Sequence, residues 1–343
     1  MQTIYSEKHK LRNSRTELYG GELVEPFERP SRAQVVLDAI RSAQIGPIIS
    51  PVDHGMKPVL AVHDANFIQF LENAWEEWKA TGYKGEAIAT VWPARRMQQR
   101  LPRFIDGKLG YYSMACETAI TEGTWEAALA SKDVALTGAA MLASGERVVF
   151  ALCRPPGHHA AHDMFGGYCF LNNAAIATQW LRDNGMQKIA ILDVDFHHGN
   201  GTQDIFYQRD DVLCCSLHGD PEEAFPHFLG YANEKGRGIG TGFNYNYPMP
   251  RGTTFAEWQI SLRNALSQIQ AFQPKALVVS LGVDTFENDP ISFFKLRSHD
   301  YGILGEMIAG QNLPTLFVLE GGYDITEMGE NVVSVLRGYE KNV

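Results

Sequence analysis

Three features that many proteins carry are missing from this sequence. No apolar run among its 343 residues approaches the length of a membrane-spanning helix, about 20 residues. The stretch MQTIYSEKHKLRNSRTELYGG has no apolar segment like that of a secretory signal peptide. Positive charge is outnumbered, with 30 Lys and Arg against 40 Asp and Glu and a net charge of −10. We therefore expect a cytoplasmic protein with no membrane and no nucleic-acid partner, since nucleic-acid interfaces are basic and clustered.

Cysteine is scarce and its spacing is uninformative. The sequence has five cysteines, an odd number, and no C-x-x-C pair. Cys214 and Cys215 are adjacent within an apolar run. This pattern excludes a disulfide framework, so we expect all five to be reduced and mostly buried thiols.

Short apolar runs alternate with amphipathic segments, which predicts an α/β protein with a mainly parallel sheet. The predicted strands are 2–6, 147–152, 188–196, 211–217, 275–283 and 314–320. The predicted helices are 31–43, 59–80, 110–121, 124–143, 172–183, 255–271, 299–310 and 325–339. Length alone suggests about two domains, although α/β folds of this size also occur as one.

Polar or glycine-rich loops follow five of these strands. They read RPPGHH, DFHHGNG, HGDPEEAF, DTFENDP and GGY in chain order. Ligands of open α/β sheets bind beyond the carboxyl ends of the strands. The five loops therefore predict one shared site at that edge.

The stretch ILDVDFHHGNGT places acidic and imidazole side chains directly after an apolar strand. Alternation along the strand would put Asp193, Asp195 and His197 on one face, while His198 would point the other way. Asp195, His197 and the strand-end Asp284 could supply three ligands to a zinc-type metal, leaving a fourth position open for water. Asp193 would then support the site without binding the metal. As an alternative, Asp193 and Asp195 could cap a turn. His197 and His198 could be ordinary turn histidines, and this second alternative is stronger for His198.

Two further loops carry candidate catalytic groups. His158 and His159 are adjacent in RPPGHH and could act as general acid and base. Tyr323 in LEGGYD could donate a hydrogen bond to a developing oxyanion. Taken alone, each could equally be a loop histidine or a packing tyrosine.

Six motifs together resemble the histone deacetylase-like metallohydrolases: RPPGHHA, GGYCFLNNAAIA, ILDVDFHHGNGTQDIFY, SLHGD, SLGVDTFENDP and LEGGYD. The stretches SEKHKLRNSRTELYGGELVEPFERPSR and YKGEAIATVWPARR resemble the bacterial acetylpolyamine amidohydrolases in particular. The resemblance implies a single deacetylase domain over residues 1–343. It also implies the arginase/deacetylase fold, an eight-stranded parallel sheet flanked by helices.

The resemblance implies metal-dependent hydrolysis of acetylpolyamines to free polyamine and acetate. One Zn²⁺ per chain would be bound by Asp195, His197 and Asp284, with Fe²⁺, Co²⁺ or Mn²⁺ able to replace it. Water activated at the metal would attack the acetyl carbonyl.

The same resemblance assigns the proton transfers. His159 would be the general base and then the acid, and Tyr323 would stabilise the oxyanion. His158 would stay charged, held by Asp193. Many histone deacetylases have Asp where this sequence has Asn200. A neutral partner would leave His159 less basic than His158.

Structural K⁺ ions are also implied by the resemblance. One would lie near Asp193, Asp195, His197, Ser216 and Leu217, and a second near Phe206, Arg209 and Val212.

The implied substrate-binding residues are aromatic, acidic or small. They are Glu17, Trp92, Asp106, Glu117, Gly167, Tyr168, Phe225 and Ile291. Tyr168 and Phe225 would grip a methylene chain, and the three acids would attract amines, although core packing and solvated surface charge are the alternatives. Asp106 stands where the family pattern has Glu, one methylene longer.

Residues 81–109 show no clear periodicity and match the family's inserted loop. We expect this loop to form part of a homodimer interface and of a narrow substrate entrance. That entrance would admit N-acetylputrescine, N-acetylcadaverine or acetylspermidine. The alternatives are a deacetylase of lysine or another small molecule, an arginase-like binuclear manganese hydrolase, and a non-catalytic binder of acetylated amines.

Overall fold

The computed structural model describes residues 1–94 and 97–342. Ten strands lie within those residues: β1 Gln2–Ile4, β2 Glu17–Tyr19, β3 Glu22–Val24, β4 Ile48–Ile49, β5 Val148–Ala151, β6 Ile189–Asp193, β7 Val212–Gly219, β8 Asn244–Met249, β9 Ala276–Leu281 and β10 Thr315–Leu319. Eight of them form one parallel sheet in the order β4-β1-β5-β10-β9-β6-β7-β8, and β2 and β3 form a hairpin. The predicted α/β class with an eight-stranded parallel sheet is confirmed.

Ten α-helices flank or connect these strands within the same described ranges. They are α1 Ser31–Ala43, α2 Lys57–Leu60, α3 Ala65–Ala80, α4 Ile105–Tyr112, α5 Thr124–Ala143, α6 Asn173–Asp183, α7 Asn200–Phe206, α8 Phe255–Phe272, α9 Ser298–Ala309 and α10 Met328–Glu340. None of the helices in these ranges has the length and apolar character needed to cross a membrane.

Both faces of the sheet are buried, which explains why its central strands read as unbroken apolar runs. Side chains alternate between faces along each strand. Leu192 and Val279 pack into a core layer with α1, α8, α9 and α10. Their neighbours Ile191 and Val278 pack into the opposite layer with α3, α5 and α6. The two layers hold the central strands side by side.

Two helix predictions need correction. The predicted helix 59–80 is interrupted, because Asp64 accepts hydrogen bonds from the backbone N–H groups of Asn66 and Phe67 and starts α3 anew. The predicted helix 110–121 is wrong. Helix α4 ends at Tyr112, and Ile120 pairs with Ala87 in an antiparallel bridge instead.

The loop predicted at 81–109 is mostly non-helical, and α4 begins near its end. Residues 95 and 96 of this loop lie outside the described part of the chain. Several of its apolar side chains face solvent, namely Val91, Trp92, Met97, Leu101 and Phe104.

Strands β5, β10, β9, β6 and β7 are consecutive neighbours in the sheet and all run in the same direction. Their carboxyl ends therefore lie side by side at one edge. The five polar loops noted in the sequence leave these strands at that edge, as predicted.

Candidate active site

Three side chains from the loops after β6 and β9 converge at the carboxyl edge of the sheet. Ligand atoms of Asp195, His197 and Asp284 all lie within 4.8 Å of one another, and the three residues are buried. Nδ1 of His197 lies 3.0 Å from Oδ2 of Asp284 and 3.3 Å from Oδ1 of Asp195. The structure thus brings together the three residues predicted as metal ligands.

The sequence predicts that alternation along a strand brings Asp195 and His197 to one face, but these residues lie beyond the end of the strand. Strand β6 ends at Asp193, and the chain then turns. Asp193 Oδ1 accepts a hydrogen bond from the N–H of Asp195, and Asp195 Oδ1 accepts one from the N–H of His197. The turn-capping alternative therefore describes Asp193 and Asp195 as well, because these carboxylates shape the turn that carries them.

Backbone donors fix the two carboxylates further. Oδ2 of Asp195 accepts a hydrogen bond from the N–H of Gly321 at 2.7 Å. Oδ1 of Asp284 accepts one from the N–H of Phe196 at 2.8 Å. A Cβ at position 321 would clash with both carboxylates, so only glycine allows this approach.

This donor set fits a divalent cation. Two carboxylates and one imidazole are ligands that zinc-type metals accept. Burial and the charge of Asp195 raise the pKa of Asp284 to about 6. A cation between the carboxylates would relieve the cost of burying them next to each other.

His158 and His159 lie beside this cluster with their rings 4.1 Å apart. Nδ1 of His158 is 3.0 Å from Oδ2 of Asp193, and Nδ1 of His159 is 2.6 Å from Oδ1 of Asn200. Both histidines are buried. Each predicted pairing is therefore present in the structure.

The pKa values of the two imidazoles shift in opposite directions, because different charges surround them. Burial lowers the pKa of His158, but the charges of Asp195 and Asp193 outweigh it and raise that pKa to about 10. Burial, together with the positive charges of His158 and His197, lowers the pKa of His159 well below its usual value. At neutral pH His158 is therefore charged and His159 is neutral.

Tyr323 is held over the same site by residues that the sequence reasoning missed. The Arg32 guanidinium lies 4.6 Å from the centre of the Tyr323 ring and donates hydrogen bonds to the backbone oxygens of Gly322 and Glu320. Asp289 accepts a hydrogen bond from the N–H of Tyr323 at 2.8 Å. Burial raises the pKa of the phenol well above 10, so it stays a donor.

Glu320 was also missed, although it precedes the GGY motif. Its Oε2 accepts hydrogen bonds from the N–H groups of Gly157 and His158, at 2.6 and 3.1 Å. The carboxylate therefore fixes the turn that carries both histidines. Glu320, His158 and Cys169 form a second buried group with metal-ligand atoms, but it shares His158 with the site above. A lone glutamate after a strand gives no sequence signal for such a contact.

A cavity of about 520 Å³ opens onto the site, and His159, His197 and Tyr323 lie on its wall. Six of the eight predicted substrate-binding residues line it: Glu17, Glu117, Gly167, Tyr168, Phe225 and Ile291.

The other two residues in that set, Trp92 and Asp106, do not line this cavity. Nε1 of Trp92 donates a hydrogen bond to the backbone oxygen of Ser113 at 3.0 Å. Asp106 accepts one from the hydroxyl of Tyr83 at 3.2 Å. Their proposed contact with substrate stays a prediction. Both residues lie in the 81–109 loop.

Glu17 is not the solvated charge that was one alternative, since only 1% of it is exposed. Its carboxylate accepts a hydrogen bond from the hydroxyl of Tyr168 at 2.6 Å. Burial raises the pKa of Glu17 to about 7, and the Tyr168 hydrogen bond opposes that shift.

A Cβ at Gly167 would clash with the His159 ring, so the glycine lets this wall of the cavity approach His158 and His159.

The residues predicted to hold monovalent cations also cluster. Ser216 is the strand partner of Asp193, and with Leu217 it lies buried beside the Asp195 turn. Phe206 ends α7 and Val212 begins β7, while the N–H of Arg209 between them donates to the Phe206 oxygen at 3.0 Å. Both cation sites remain predictions.

His198, left without a role by the sequence, turns away from the metal ligands. Its Nε2 lies 3.1 Å from Oε1 of Gln203, and its ring packs 4.5 Å from that of His218. Burial and the adjacent His218 lower its pKa well below the usual value. These contacts make His198 a neutral packing residue.

Comparisons with known proteins find similar sequences over almost the whole chain. A sequence model described as the histone deacetylase domain matches residues 26–339. The acetylpolyamine amidohydrolase of Mycoplana ramosa is 60% identical over 98% of this chain and 99% of its own. Acetylpolyamine amidohydrolase 2 of Pseudomonas aeruginosa is 54% identical over 99% of each chain.

The crystal structure of an acetylpolyamine aminohydrolase from Burkholderia pseudomallei has a similar fold. It superimposes with a TM-score of 0.95 at 38% sequence identity. The match covers 100% of this chain and 99% of the other.

Proposed function

The chain belongs to the histone deacetylase family, and we propose that it hydrolyses acetylpolyamines to free polyamine and acetate in a metal-dependent reaction. One observation carries the proposal. The Asp195, His197 and Asp284 cluster lies with His159 and Tyr323 at a cavity whose wall also carries carboxylates. The names of the similar bacterial proteins support the choice of substrate.

Asp195, His197 and Asp284 would hold one divalent ion, for which Zn²⁺ is the first choice. When bound, such an ion polarises a carbonyl oxygen and lowers the pKa of water. Structural K⁺ near Ser216 and Val212 belongs to the same proposal.

His159 performs the proton transfers in this mechanism. Its Nδ1–H donates to the Asn200 side-chain oxygen, which leaves the lone pair of Nε2 free. The neutral ring accepts a proton from the attacking water and then gives it to the leaving amine. His158, paired with Asp193, stays protonated and keeps positive charge beside the reaction.

Tyr323 donates its hydroxyl hydrogen to the oxygen that gains negative charge as the acetyl carbonyl is attacked. Arg32 and Asp289 orient the loop and ring that present this donor. Tyr168 and Phe225 form the tunnel wall along which a methylene chain would lie.

The 81–109 loop forms part of the interface of a homodimer in this proposal, inserted in a single deacetylase domain of residues 1–343. Its exposed apolar side chains, such as Met97 and Phe104, support that assignment because an exposed apolar patch of this kind often marks an interface. The second copy would narrow the substrate entrance and bring Trp92 and Asp106 towards it. The dimer is assigned to the cytoplasm.

The test is acetate release by metal-stripped protein with and without added Zn²⁺. The substrates are N-acetylputrescine, N-acetylcadaverine, acetylspermidine and an acetyl-lysine peptide. We expect Zn²⁺-dependent release from the small amines and little from the peptide. Preference for the peptide would replace the polyamine assignment with lysine deacetylation, and no release from any of them would overturn the proposal.

A further inference from the structure

Among its described lining residues, the cavity wall carries one guanidinium close to a carboxylate, which is unexpected at a site proposed to receive polyamines. Among its described lining residues, Glu17, Glu117 and Glu223 are acidic, and Arg251 alone is a lysine or arginine. A polyamine is positively charged, so this guanidinium opposes the ligand that the carboxylates attract.

The three carboxylates differ in exposure, which orders them from the interior to the mouth of the cavity. Glu17 is buried and bonded to Tyr168. Glu117 is half-buried and accepts a hydrogen bond from the N–H of Gly167 at 2.8 Å. The side chain of Glu223 is 48% exposed, so this carboxylate lies at the mouth.

Arg251 is paired with that outermost carboxylate. Its Nε lies 2.9 Å from Oε2 of Glu223, and the Arg251 side chain is 62% exposed. Its guanidinium carbon lies 4.3 Å from the centre of the Phe293 ring. Phe293 packs on Phe196, which adjoins His197, so two rings separate the guanidinium from the metal-ligand cluster.

We propose that Arg251 is a specificity-determining residue. It weakens the binding of acetylated substrates whose remote ammonium group reaches Glu223. The inference rests on the proposed function. In the free protein Arg251 forms an ion pair with the Glu223 carboxylate. The second ammonium group of a long polyamine must displace the Arg251 guanidinium to reach that carboxylate. Because both partners are solvated, their ion pair is weak and exchangeable. A short acetyldiamine places its single ammonium deeper, beside Glu17 and Glu117, and is less affected.

The experiment compares wild type with Arg251→Gln and with Arg263→Gln, which removes the same charge from the exposed face of α8. Three acetamides are assayed with Zn²⁺ at low ionic strength: N8-acetylspermidine, N-acetylputrescine and uncharged N-butylacetamide. We expect Arg251→Gln to lower KM for N8-acetylspermidine about two- to fivefold, the range for one exposed charge pair. The shift should be smaller for N-acetylputrescine and smallest for N-butylacetamide.

Two further measurements test the pair itself. Glu223→Gln should raise KM for N8-acetylspermidine, the opposite of Arg251→Gln. Both effects should shrink at high salt, because solvated charges are screened. Equal shifts for all three acetamides, or an equal shift in Arg263→Gln, would overturn the inference. Release of acetate from none of them by wild type would overturn the proposed function instead.

Discussion

At the scale of single residues, His159 is the side chain on which the proposed chemistry depends most. It is buried and neutral, and it lies outside the group of predicted metal ligands. We expect His159→Ala to lower kcat by about 10²- to 10⁴-fold, the usual contribution of general acid–base catalysis, while the bound metal is retained. The assay is acetate release alongside metal content per chain.

The matched control is His299→Ala, which removes an exposed imidazole from α9. It should leave both activity and metal content unchanged. Full activity in His159→Ala would remove this residue from the mechanism, whereas loss of metal would make it a ligand.

Asn200 is the hydrogen-bond partner of Nδ1 of His159, so giving this position a negative charge should move the pH profile. Asn200→Asp would place a carboxylate against Nδ1 of His159 and raise its pKa by about 1 unit or more. A raised pKa keeps the base protonated to higher pH. The acidic limb of kcat/KM should therefore move to higher pH.

The profile of Asn200→Ala provides the control, because it removes the partner without adding charge. An acidic limb that stays in place in Asn200→Asp would show that another group titrates there.

Some of the site can be read from residue types and spacing, and some cannot. Asp195, His197 and Asp284 follow apolar strands, where buried charge requires an explanation, so they attract attention in the sequence. Arg32 and Asp289 show no such pattern, because each acts on Tyr323 only through contacts between segments that are distant in the chain.

At the scale of secondary-structure elements, Glu28 connects three parts of the chain. Its carboxylate bonds to Arg32 in α1 and to Arg154 after β5, and it lies 3.7 Å from Arg12 near the N-terminus. All four side chains are buried. Burial raises the pKa of Glu28, but the three guanidinium groups outweigh it and hold that pKa at about 2.

Removing this charge should weaken the attachment of α1 to the sheet. We expect Glu28→Gln to lower the free energy of unfolding by about 3–5 kcal/mol at pH 7, since buried cations lose their counter-charge. Denaturant titration measures the change. The stabilisation from this depressed pKa is complete above about pH 5 and is lost as pH falls towards 2. The free energy of unfolding of Glu28→Gln should therefore fall less over that pH range than that of the wild type.

Glu25→Gln is the control for that measurement, because Glu25 pairs with Arg29 on the surface. Its effect should stay within about 0.5 kcal/mol. A similar small change in Glu28→Gln would mean that the buried cluster contributes little to stability.

The elements themselves were largely predictable, for a physical reason. All six predicted strands are present in the sheet, because strands buried on both faces are continuous apolar runs. Two strands of the sheet, β4 and β8, were not predicted, since β4 has only two residues and β8 includes two Asn and a Pro. The error at 110–121 arose because Ile120 pairs with Ala87, a contact between segments that local pattern does not reveal.

At the scale of the whole molecule, the 81–109 loop is proposed to join two copies. Phe104, with its ring exposed near the start of α4, offers a direct test. We expect Phe104→Glu to convert the dimer to a monomer in sedimentation velocity, because a charge would be buried at the interface. Acetyl-lysine peptide turnover should rise relative to N-acetylputrescine as the entrance widens.

Ile260→Glu changes an equally exposed side chain on α8 and should leave the sedimentation coefficient unchanged. If the wild-type protein sediments as a monomer, or if Phe104→Glu stays dimeric, the loop does not form the interface.

The hydrogen bonds that fix the Asp195 turn have a consequence for metal supply in the cell. The N–H groups of Gly321 and Phe196 hold the two carboxylates from outside the cluster, so protein groups and not the ion set the spacing of the ligands. Because the ligand spacing is set before an ion binds, the site does not adjust its geometry to favour one ion over others of similar size. Which ion the protein carries should then follow the concentrations that the organism maintains and the order of intrinsic affinities.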